Sequence, residues 1–84
     1  MAYGIYVTKT NSEDNHQSKN MGWYKDSSYH SMKAAKVALE HVADMLNEDF
    51  FDYRYKNSVT IEGERTDTTP YPTTERVVYH IEKR

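Results

Sequence analysis

The sequence predicts an α+β fold: a single helix, about Met32 to Asn47, packed on a small antiparallel sheet of about three to five strands, in chain order β-β-α-β-β with a further strand if the second half divides. Three observations predict it. Apolar residues recur at three- and four-residue steps in one segment alone, Ala35 to Leu46. Elsewhere they alternate with polar residues in short runs, the spacing of strands with one buried face. The chain has 84 residues, and two cores would leave each half near the floor of about 40 residues for unaided folding, so residues 1–84 read as one compact domain.

The first strand is Tyr3 to Thr8, with Tyr3, Ile5 and Val7 on one side and Gly4, Tyr6 and Thr8 on the other. Residues from Lys9 to Asn20 include no apolar side chain and many that bond their own backbone, which predicts a mobile loop over about 9–20. Gly22 to Lys25 restores two aromatics, Trp23 and Tyr24, and reads as the second strand. Ser31 stands before a run of helix formers, where its hydroxyl can cap a free amide of the first turn. Ala35, Ala38, Leu39, Val42, Met45 and Leu46 then form an apolar stripe, with Lys33, Lys36, Glu40, Asp44 and Asn47 opposite.

After the helix, Phe51, Tyr53 and Tyr55 alternate with Asp52, Arg54 and Lys56, and Val59 to Glu64 alternates again, as one bent strand or two. Arg65 to Thr74 holds both prolines, Pro70 and Pro72, and reads as a second mobile loop, over about 65–74, at the tip of a hairpin. Val77, Tyr79 and Ile81 share one face of a last strand.

Composition excludes several classes of function. The chain has no cysteine, which removes disulfides, thiolate metal sites and a cysteine nucleophile, and fits a reducing cytoplasm. No apolar stretch approaches the roughly 20 residues that span a bilayer, and no export signal opens the chain, so a cytoplasmic protein without membrane contact is expected. Eleven basic against 13 acidic residues, a net charge of −2, favour no partner by bulk electrostatics.

The glycines, Gly4, Gly22 and Gly63, are too far apart for a phosphate loop. Gly4-Ile5-Tyr6 resembles the first motif of the GIY-YIG endonucleases. The resemblance ends at those residues: the next strand offers Met21-Gly22-Trp23, and the helix carries lysines where that family has an arginine. His16, His30, His41 and His80 include no i, i+4 metal pair on the helix. No serine or threonine has an evident activating partner. The expectation is a protein that is not an enzyme and uses neither metal nor cofactor.

One feature runs against stability. Glu40, Asp44 and Glu48 stand at i, i+4 spacing with Asp49 and Asp52 just beyond, so negative charge collects where the helix dipole is already negative. Each should cost a few tenths of a kcal/mol. Such a ridge suits a basic partner surface; its bland reading is a solvated helix face relieved by Lys36, Arg54 or Lys56. Tyr71, held between two prolines, would be presented with little ordering entropy left to lose. With the other classes removed, these residues lead to the expectation of a small binding protein that occupies a surface of a host or cognate protein, a regulator or inhibitor; phages and mobile elements encode many proteins of that class, though no motif here marks such an origin. The alternative is a nucleic-acid-binding module using Trp23, Lys25, Arg54 and Lys56, in which aromatics beside cations stack single-stranded bases. Monomer and homodimer are both compatible with an unpaired edge strand.

Overall fold

The computed structural model describes residues 2–13, 16–26, 28–67 and 72–84. In chain order they form β1 (Tyr3–Glu13), β2 (His16–Trp23), a 3₁₀ turn (Tyr24–Asp26), α1 (Met32–Glu48), β3 (Asp52–Asn57), β4 (Thr60–Asp67) and β5 (Thr73–Lys83). The strands make one antiparallel five-stranded sheet in the order β2-β1-β5-β4-β3, with α1 packed on it, the α+β architecture expected. The first and last strands meet in the middle: β1 pairs β5 from Tyr3↔Lys83 to Glu13↔Thr73.

Three expectations need correction. The segment expected as a loop over about 9–20 is strand throughout its described residues, Lys9 to Glu13 in β1 and His16 to Asn20 in β2. Its residues are polar because neither face there is buried, and what holds β1 extended is its backbone ladder to β5. Likewise Arg65 to Asp67 extends β4 and Thr73 and Thr74 open β5. The sequence pattern reports burial, and ladder pairing between polar strands leaves no such mark. The second strand also ends earlier than expected. Trp23 closes β2, while Tyr24 and Lys25 enter the 3₁₀ turn with Lys25 at φ 53°.

Phe51 to Glu64 resolves into two strands. They are joined at Ser58 and Val59, where the Asn57 side chain accepts from the Val59 N–H at 2.9 Å. The Ser31 hydroxyl accepts from the Ala34 N–H at 3.1 Å and caps α1 as expected. At the other end Phe50 adopts φ 63°. The Phe50 N–H donates to the Asn47 carbonyl at 3.2 Å and the Phe51 N–H to that of Leu46 at 2.9 Å, the paired bonds of a Schellman cap. A phenylalanine therefore sits where glycine is favoured.

Ala35, Leu39, Val42, Ala43 and Leu46 of α1 pack on Ile5, Ile61, Val77, Tyr79 and Ile81. Tyr3, Val7, Phe51 and Tyr53 border this core. Gly63 lets the last turn sit low, since a β-carbon there would stand 3.1 Å from Val77 and 3.4 Å from Leu46. α1 begins near the start of β1, where Tyr3 and Tyr29 exchange backbone hydrogen bonds of 2.8 and 2.7 Å, and ends over Gly63. Its 17 residues run about 26 Å at 1.5 Å per residue. The 11 residues of β1 and of β5 run about 37 Å. The sheet therefore projects past the helix, and the molecule is 45 Å long against widths of 21 and 20 Å.

Candidate functional site

Three surfaces follow from a helix shorter than its sheet. The first is the outer face of α1. Glu40, Asp44 and Glu48 are all exposed on it. Glu40 and Asp44 overlook Tyr55 on the β3 edge, whose hydroxyl is pushed above the ordinary tyrosine value by desolvation first, then by Glu40, Tyr53 and Asp44. Asp49 caps the helix, and its carbonyl accepts from Arg65 at 3.2 Å. Asp52 does not join them. It pairs with Glu64 in register and shares the opposite face of the sheet with Arg54 and Glu62. The ridge thus narrows to Glu40, Asp44 and Glu48, while Asp49 lines the cleft at the end of α1. Tyr71 lies outside the described residues.

The second surface is the sheet face away from α1, which no element among the described residues covers. Strand alternation sends Tyr6 of β1, Trp23 and Met21 of β2 and His80 of β5 to this side. Tyr6 meets Trp23 edge-on at 5.4 Å between ring centroids and His80 at 5.6 Å. The Arg84 guanidinium lies 4.8 Å over Trp23. Met21 is 61 % exposed beside them. Arg54 and Lys56 are on the same face but on the far edge strand, and both reach Glu62, at 3.5 and 3.6 Å. Arg76 pairs with Glu64 at 3.0 Å and His80 with Glu82 at 2.8 Å. Trp23 is thus separated from the cations grouped with it in sequence, and Lys25 turns to the helix side, its ammonium 5.2 Å from the Tyr24 ring.

The third surface is a cleft of about 470 Å³ on the helix side, where α1 stops and the sheet continues. Val7, Tyr24, Met45, Phe51, Val77 and Tyr79 are among the residues that line it. The Tyr24 hydroxyl donates to the Met45 sulfur at 3.6 Å, and its ring meets that of Tyr79 at 5.7 Å, edge to face. Lys9, Lys25, Asp49, Arg65 and Glu75 supply the charge around it. Burial pushes the Tyr79 hydroxyl above the ordinary value, with smaller contributions from Tyr24, Glu75 and Asp49. Sequence reasoning placed Tyr79 on one face of the last strand and gave it no further role. The available signal was a lone hydroxyl in an otherwise aliphatic strand face, Val77, Tyr79 and Ile81.

Among the described residues no group of three His, Asp or Glu side chains could hold a metal ion, and no helix is long and apolar enough to cross a membrane. No known protein family, curated protein or solved structure matches the chain.

Proposed function

We propose that the protein acts by binding, occupying a surface of a partner protein as a regulator or inhibitor without a catalytic step of its own. The observation that carries the reading is the sheet face away from α1. It exposes Met21 and a connected aromatic row, Trp23, Tyr6 and His80, with Arg54, Lys56 and Arg76 each near a glutamate and Arg84 over the Trp23 ring. Aromatic residues, methionine and arginine are the types enriched in protein interfaces. Arg54, Lys56 and Arg76 on this face are paired with glutamates, which reduces the positive charge open to phosphates and supports a protein partner over nucleic acid. Glu40, Asp44 and Glu48 add a negative edge that would steer a basic partner.

The test is affinity capture from the source lysate, run in parallel with and without nuclease, using the native chain, Met21→Asp and the triple variant Glu40→Lys, Asp44→Lys, Glu48→Lys. The expected result is a nuclease-resistant protein lost with Met21→Asp, and slowed in association with the triple variant, while the melting temperature holds. Capture abolished by nuclease would transfer the reading to nucleic acid, and capture indifferent to Met21→Asp would remove the sheet face from it.

A further inference from the structure

The cleft at the end of α1 holds a hydroxyl that reaches solvent without a hydrogen bond to the described residues. Tyr79 is 3 % exposed. Among the described residues its hydroxyl has no hydrogen-bond partner, although its neighbour Tyr24 bonds Met45. No fully buried side-chain oxygen of the described residues lacks a partner, so the Tyr79 hydroxyl is the point at which this side chain reaches the surface, and the cleft it lines is where it does so. Like any tyrosine hydroxyl near neutral pH it is protonated and can donate a hydrogen bond.

The charges around that hydroxyl are not equivalent. Arg65 is occupied, donating to Glu75 at 2.8 Å and to the Asp49 carbonyl at 3.2 Å, with its guanidinium 4.6 Å over the Phe51 ring. Lys9, which stands opposite Val77 in the ladder and lines the same cleft, has no ion-pair partner among the described residues. Lys25 approaches from the same β1–β2 side, carried there by its left-handed backbone. Asp49 and the C-terminal dipole of α1 make the opposite side negative. With Arg65 and Glu75 cancelling, positive charge is in excess at the Lys9 side.

We infer that this cleft binds a small organic carboxylate with an apolar or aromatic body. The acid group is directed at Lys9 and away from Asp49, one of its oxygens accepts from the Tyr79 hydroxyl, and the body lies on Val7 against Met45 and Phe51. The volume of about 470 Å³ is that of a site for a compact small molecule, and an apolar base with a few converging polar groups is the usual make-up of one.

The probe is 3-phenylpropionate, with 3-phenylpropanamide as its uncharged counterpart, titrated into the ¹⁵N-labelled protein and followed by amide chemical shifts. The acid should give saturable shifts grouped at Val7, Lys9, Val77 and Tyr79. The amide should bind at least about fivefold more weakly, and Lys9→Gln should erase that difference. Tyr79→Phe should weaken both. Lys9 is exposed, so Lys9→Gln tests the proposal even if Tyr79→Phe fails to fold. Absence of saturable shifts up to about 20 mM acid, or a Lys9→Gln protein that still prefers acid to amide, would overturn it.

Discussion

The indole of Trp23 lies directly over the α-carbon of Gly4: a β-carbon at position 4 would stand 2.8 Å from two of its ring atoms and 3.2 Å from the Arg84 side chain. The glycine that opens the first strand is therefore a packing requirement of the aromatic row on the uncovered sheet face. This gives the glycine at position 4 a packing reason of its own.

Gly4→Ala should displace the Trp23 ring and cost about 1–3 kcal/mol, the range for overfilling a packed site. Thermal denaturation would show the lower midpoint, and Trp23 emission, the signal of the one tryptophan in the chain, should move to longer wavelength. An unchanged melt and spectrum would mean that the ring does not depend on the gap.

Phe50→Gly should have the opposite effect. Phe50 holds φ 63° with its side chain 87 % exposed, so the substitution relieves left-handed strain of about 1 kcal/mol while giving up little burial. Urea denaturation should show a higher midpoint with an unchanged slope. A bulky aromatic kept at a strained, exposed position is also a reason to include this variant in partner capture.

Leu39→Ala should cost about 2–5 kcal/mol, because Leu39 is 1 % exposed and its removal leaves a cavity between helix and sheet. The neighbouring Val37→Ala, on the exposed side of α1, should stay within about 0.5 kcal/mol of the native chain. Equal losses from the two would contradict the orientation of α1.

Stability should fall in alkali, in part through Tyr79. Its folded pKa is raised above the ordinary 10.0, by burial first. Below that ordinary value the folded and unfolded states both carry the proton, and the contribution is fully present. As pH rises through the folded value, the unfolded state has already given up its proton and the contribution is lost. Tyr55 is raised in the same direction but is largely exposed, so its share is small. Urea midpoints measured from pH 8 to 11, values set about the ordinary tyrosine range, should decline less steeply for Tyr79→Phe than for the native chain. Parallel declines would assign the alkaline loss to other groups.

The alternating and helical spacings carried most of the core. Ala35, Leu39, Val42 and Leu46 are buried in α1 as their periodicity requires, and Tyr53 faces them from β3 in phase with Phe51. The Ser31 cap was legible because capping is local chemistry between a side chain and an amide three residues on. Of the candidate site residues, Glu40, Asp44 and Glu48 share one exposed face because a helix brings i and i+4 together wherever it is placed. Asp52 left that group because one residue of strand reverses the face.

What the sequence determined by itself is whatever depends on neighbours within a turn of chain: the helix, its cap, its buried stripe and the faces of the apolar strands. Only the tertiary structure decided the long polar hairpin of β1 and β2, since polar strands are specified by a distant ladder partner, β5, and not by their own pattern. It also decided the cleft. Lys9, Tyr79, Asp49 and Lys25 are distant in the chain, and they meet because α1 ends before the sheet beneath it does. A length mismatch between two packed elements is a property of the assembled fold, and no local spacing encodes it.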